Sequence, residues 1–154
     1  MIIHAHAWQS LRRTFPIRKS EWAMGGATIC FWLIFTLNGD LFETSPGYAP
    51  LAEIAPQAAW AWLCFGVGVG RCAALFVNGA YWRSPHARAA FAFLNCFLWY
   101  KLTTGLAENV GLGMVFAGTF FLMDVLNFKQ AFVEAAASEG LKHVERRNTA
   151  RHSR

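Results

Sequence analysis

Read only for its apolar and polar positions, the chain separates into four long apolar runs, at 21–39, 56–82, 85–104 and 109–128, joined by short polar stretches. Each run is close to the ~20 residues an α-helix needs to cross ~30 Å of hydrocarbon. The pattern predicts an all-α fold, a membrane bundle of four transmembrane helices in a single domain over 1–154. A basic segment at 1–19 precedes the bundle, and the last helix extends into an amphipathic helix and basic tail at 129–154.

The first run, EWAMGGATICFWLIFTLNG, has Ser20 as a candidate N-cap and Asn38-Gly39 as a stop. Basic residues precede it, as in a secretory signal, but the apolar core exceeds the usual 7–15 residues. Pro50 also follows the small-residue positions Gly47–Ala49 and opposes cleavage, so an uncleaved span is expected. Upstream, Ile3, Trp8, Leu11 and Phe15 recur at roughly helical spacing beside Arg12 and Arg13, with Pro16 as a break. That segment is either a helix lying on a membrane surface or a basic tail without fixed structure.

Residues 40–55 carry Asp40, Glu43 and Glu53 and no lysine or arginine, with Pro46-Gly47 and Pro50 as turn or extended-chain signals. The second run then opens on Pro56, suited to a first helical turn. Gly66, Gly70 and Ala74 recur every fourth residue and predict a close-packing face. A separate stripe, Cys64, Gly68, Arg71, Leu75 and Asn78, carries the polar groups and should face the bundle interior, because an intramembrane arginine is costly.

In the third run, Ser84-Pro85 reads as cap and first turn, and Arg88, Ala92, Asn95 and Trp99 share a face. Lys101 beside Trp99 and Tyr100 is an interfacial anchor. The fourth run aligns Gly113, Ala117, Phe120, Asp124 and Asn127 on one side. With that run ending near 128, Asp124 falls ~7.5 Å to the cytoplasmic side of its centre, within reach of Arg71 and Arg88. An ion pair is expected. The first run offers little beyond Thr28 and Asn38, so it should be the most lipid-facing helix.

Composition sharpens this picture. The chain is 55% hydrophobic and 15% charged, against about 25% charged in soluble domains. Its net charge of +5 raises nucleic acid as a partner, but the basic residues flank apolar runs as topology signals do, so none is expected. Of the fourteen lysines and arginines, all but Arg71 and Lys101 fall in segments assigned to one side, while Asp40, Glu43, Glu53 and Glu108 fall in the opposite loops. Both termini are therefore expected to be cytoplasmic. Anionic headgroups would attract the tail holding Arg146, Arg147, Arg151 and Arg154, although a solvated tail serving only topology fits equally well.

Candidate chemistry is sparse. Cys30, Cys64, Cys72 and Cys96 all lie in apolar runs without ligand or disulfide spacing, and His4-x-His6 lacks further ligands. No catalytic set, metal or cofactor is expected, and Gly66-x-Gly68-x-Gly70 lacks the strand a nucleotide loop needs. What remains is an intramembrane polar core: Arg71, Asp124, Asn95, Arg88, Asn78 and Asn127. Such a core either marks an ion or solute pathway or fixes helix register through an Arg–Asp pair. Complementarity of the charges favours the second.

The segments SPGYAPLAEIAP, GVGVGRCAALFVNG and SPHARA, within Ser45–Ala90, resemble small uncharacterised membrane proteins of tailed bacteriophages and prophages. The resemblance implies a bacterial inner-membrane setting and a role in lysis or host takeover, and it identifies no functional residue. Three expectations follow: a non-enzymatic phage-associated factor, holin-like or accessory; a small transporter or channel subunit using the Arg/Asp pair, acting as a homo-oligomer; or an assembly partner of a larger membrane complex.

Overall fold

The computed structural model describes residues 15–16, 18–80, 85–107 and 111–152, with side chains through 78, from 85 to 107 and from 111 to 140. The surface helix expected before Phe15, the capping serine Ser84 and the Glu108-Asn109 turn lie outside the described residues. Among the described residues every regular element is helical: α1 (Lys19–Leu37), α2 (Leu41–Thr44), a 3-10 turn (Pro46–Tyr48), α3 (Ala49–Ala52), α4 (Gln57–Ala80), α5 (Pro85–Leu106) and α6 (Leu112–His152). Three helices are long and apolar enough to cross a membrane, at Lys19–Leu37, Gln57–Asn78 and Leu112–Gly140. Helix α5 has the length, but Asn95, Lys101 and its threonines make it less apolar than those three.

The four long helices pack most extensively as two hairpins, α1 with α4 and α5 with α6. Helices α1 and α4 meet through Gly25 and Gly68. A Cβ at Gly68 would lie 2.7 Å from the Ile29 side chain and 3.2 Å from the Gly25 carbonyl, so only glycine permits this approach. The expected Gly66–Gly70–Ala74 face is corrected at Gly66 and holds at Gly70. Gly66 points into open space, while Gly70 receives the Phe91 ring of α5. Recurrence every four residues located two candidate faces on this helix, and the one carrying Gly68 became the close crossing.

Helix α1 begins without a side-chain cap, because Ser20 is turned inward. It stops as expected at Asn38, whose backbone N–H and side-chain amide both donate to the Ile34 carbonyl. Residues 40–55 wind into helical turns rather than an extended loop, and they cap one end of the bundle. Phe42 stacks on Tyr48 with ring centroids 5.4 Å apart, and both meet Phe35 edge-on. Burial in this cluster pushes the Tyr48 phenol above its ordinary pKa. Leu51 packs under the cap against Gly105, and the Trp60 indole N–H donates to the Leu51 carbonyl at 3.0 Å.

Gln57 ties the cap to the bundle. Its amide donates to the carbonyls of Phe35 at 2.7 Å and Asn38 at 2.5 Å, and its oxygen accepts from the Phe42 N–H at 2.9 Å. The side chain therefore satisfies backbone groups left over at the end of α1. Gln57→Leu is expected to destabilise the protein by about 1–3 kcal/mol, the cost of stranding such groups. Amide exchange should accelerate at Phe42 and remain unchanged at Asn95.

Candidate functional site

A polar core lies where the four long helices converge, and seven-residue spacing builds it. Helix α1 buries Glu21, Thr28 and Phe35; α4 buries Cys64, Arg71 and Asn78; α5 buries Arg88, Asn95 and Leu102; α6 buries Ala117, Asp124 and Ala131. A seven-residue step keeps successive positions on one helix face, so these stripes stack as layers ~10 Å apart. Side-chain contacts fix the directions. Arg88–Glu21 and Asn95–Thr28 make α1 and α5 parallel, while Asn95–Asp124 and Arg88–Glu134 make α6 antiparallel to α5.

The central layer takes one residue from each helix: Thr28, Arg71, Asn95 and Asp124. Arg71 is 2% exposed and Asp124 0%, and Arg71 Nη1 stands 2.5 Å from Asp124 Oδ1. Asn95 Nδ2 donates to Asp124 Oδ2 at 2.9 Å, and Asn127 Nδ2 donates to Oδ1 at 3.3 Å. Thr28 Oγ1 donates to Asn95 Oδ1 at 3.0 Å and lies 2.9 Å from the Met24 carbonyl. Ser20 Oγ donates to Asn127 Oδ1 at 2.8 Å. A polar chain thus runs from the half-buried start of α1 to the bundle centre. The expected Arg71–Asp124 contact is present, and Asn95 and Asn127 join it. Asn78 is buried one layer away on α4.

This layer sits at the helix midpoints. Thr28 is the middle residue of α1 (19–37), and Asn95 lies at the centre of α5 (85–106). Arg71 is two to three residues from the centre of α4 (57–80). Helix α6 continues without interruption past residue 128, burying Ala131 and Ala135 and exposing Phe132 and Val133. Its Glu134 is level with Arg88, so the segment packed alongside α5 is centred near residue 123. Asp124 therefore lies next to the middle of that packed segment, whereas within the 109–128 run alone it is off-centre.

Arg88 does not reach Asp124. Its Nε donates to Glu21 Oε2 at 3.0 Å, its Nη2 pairs with Glu21 Oε1, and its Nη1 donates to Glu134 Oε2 at 2.5 Å. Arg18 approaches the same Glu134 oxygen at 4.0 Å. Seven residues separate Arg88 from Asn95, which sets it one layer closer to the end of the bundle. Glu21 was not among the residues the sequence singled out for the core and Ser20 was expected only as a cap, and they show that α1 belongs to the core rather than facing away from it. Their signal was the matching step Glu21–Thr28–Phe35 beside Arg88–Asn95–Leu102. Outside this charged layer, His86 Nε2 lies 3.2 Å from Glu139, an exposed pair between α5 and α6.

Towards the capped end the layers turn apolar. The buried Trp99 ring meets Phe31 edge-on at 5.1 Å and Phe120 at 4.8 Å, with Leu98 and Leu102 filling the same level. The polar core is therefore one-sided: linked by hydrogen bonds towards the charged end and closed by aromatic packing towards the cap. No family model, curated protein or solved structure matches this chain. Fold and site define a class only, an all-helical protein with three helices able to cross a membrane and a polar layer at their centre.

Proposed function

We propose that the chain is a non-enzymatic, four-span protein of the bacterial inner membrane with both termini cytoplasmic, acting as an accessory factor of the holin-like, phage-associated kind. One observation carries the membrane part of this reading: the distribution of polarity is inverted. Glu21, Arg71, Arg88, Asn95 and Asp124 are buried, while Leu33, Trp62, Phe76, Phe93, Phe116 and Leu126 point outward. Such an exterior suits lipid and not water. Helix α5 serves as the fourth span: its outward face carries Phe93, Leu94, Phe97 and Tyr100, and Lys101 lies over the Phe97 ring near the capped end.

The acidic cap then faces outward, and the charged layer marks the cytoplasmic boundary. Ten residues separate Glu134 from Asp124, ~15 Å along a helix, which is half of a ~30 Å hydrocarbon core. The basic tail meets anionic headgroups, and a homo-oligomer supplies the lateral contacts a lysis role requires. The self-neutralising pairs and the aromatic closure favour a structural core over a conduit within one chain.

Controlled expression in a bacterial host with a potential-sensitive dye tests the reading. Abrupt collapse of membrane potential, with release of a co-expressed endolysin, is expected. Normal potential and growth at high expression would sink the lysis role. Thiol labelling from each side, with single cysteines in 40–55 and 141–154, tests the topology separately. The transporter reading draws support from the central depth of Arg71. It calls for reconstituted flux lost in both Arg71→Ala and Asp124→Asn. Co-purification with a larger complex would favour the assembly-partner reading instead.

A further inference from the structure

We infer that the Arg71 guanidinium binds one water-sized, neutral hydrogen-bond acceptor at the centre of the bundle, and that this ligand arrives only from the charged end. A guanidinium presents five N–H donors. Arg71 is 2% exposed, its Nη1 contact to Asp124 is an ion contact without hydrogen-bond alignment, and its Nη2 has no partner among the described residues. Buried donors left unmet cost about 1–3 kcal/mol each, and more on a charged group. An acceptor at Nη2 removes that cost.

The chemistry of the layer selects the ligand. Arg71 and Asp124 already cancel, so an added anion would leave one unpaired negative charge at the centre, where charge is least tolerated. Size is limited by the α1–α4 crossing: a Cβ at Gly25 would lie 3.8 Å from Arg71 Cδ and 2.8 Å from Cys72 Sγ. A single water meets both conditions.

The layers select the route. Beyond Thr28 and Asn95 towards the cap, the bundle is filled by Phe31, Leu98, Trp99, Leu102 and Phe120. In the other direction Asn127 and Ser20 form a polar path that ends at a half-buried hydroxyl. Lateral access is closed because, on the reading above, the outward faces lie in lipid.

The test uses the full chain, labelled with ¹⁵N in arginine and tryptophan, in phospholipid nanodiscs, with the Arg71 signal assigned by its disappearance in Arg71→Lys. Water cross-relaxation is expected at the Arg71 side chain and absent at Trp99 Nε1–H. The Trp99 indole N–H is also buried, with no hydrogen-bond partner among the described residues, but lies on the far side of the layer. No cross-peak at Arg71, or one of equal strength at Trp99, overturns the inference. Ser20→Leu should weaken the Arg71 cross-peak at least tenfold, while Ser20→Thr, which keeps the hydroxyl, should leave it in place. An undiminished cross-peak in Ser20→Leu refutes the route. Failure to enter nanodiscs counts instead against the membrane reading.

Discussion

Asp124→Ala lowers the stability of the bundle by about 3–5 kcal/mol, the cost of leaving a buried partner charge unmatched. Arg71 loses the one carboxylate it meets among the described residues, and the amides of Asn95 and Asn127 lose their acceptor. The double variant Arg71→Met with Asp124→Leu should recover most of that loss and fall within about 1 kcal/mol of the parent, or above it, because well-packed apolar residues of similar size replace a buried pair at little cost. Unfolding by dodecyl sulfate titration in mixed micelles measures both. Equal losses in the single and double variants would refute a pair whose main work is mutual neutralisation. The double variant also separates uses: if it folds yet loses the phenotype seen on expression, the charges serve function as well as register.

Gly68→Leu should cost about 1–3 kcal/mol, the usual penalty of overpacking, and lie at the upper end. Its side chain would meet backbone atoms, the Ile29 amide at 3.1 Å and the Gly25 carbonyl at 3.2 Å, which cannot rotate away. Helix α1 must then lift off α4, and the Thr28–Asn95 bond parts with it. At Gly66, two residues away and exposed, an added Cβ meets nothing within 4 Å, so Gly66→Leu should change stability by less than about 0.5 kcal/mol, as surface substitutions do. Side-by-side unfolding of the two variants checks this, and a larger loss at Gly66 would put the crossing on the wrong face.

The sequence made the central charges legible because few formal charges interrupt its apolar runs, and opposite charges in neighbouring spans have to meet. Asn95 and Asn127 followed from sharing their helix faces. Glu21 escaped notice because it opens the first run, where a carboxylate reads as a boundary residue at the start of a helix. Its role depends on Arg88 lying at the same level of a parallel helix, which is a tertiary fact. The continuation of the fourth helix's buried stripe past residue 128 was hidden for a related reason. Lys129 and Gln130 look like a polar border, yet both are exposed, while Ala131 and Ala135 continue the buried stripe. The cap of residues 40–55 was legible as turns but not as a lid, since its anchors, Gln57 and Leu51, act on backbone atoms distant in sequence.

The pairing of helices into two hairpins has a consequence for how the protein is made. The two most deeply buried charge contacts cross from one hairpin to the other: Arg71 belongs to the first and Asp124 to the second, and Glu21 of the first meets Arg88 of the second, whereas Arg88–Glu134 lies within the second. The ribosome must add 124 − 71 = 53 further residues before the arginine has its carboxylate. At about 5–20 residues per second this takes roughly 3–10 s. Throughout that interval Arg71 has no carboxylate opposite it, so the final packing of the first hairpin waits on the second. A chain stalled before Leu112 holds Arg71 and Arg88 and only one of the three carboxylates that answer them, which leaves the half-built protein with an excess of unanswered positive charge.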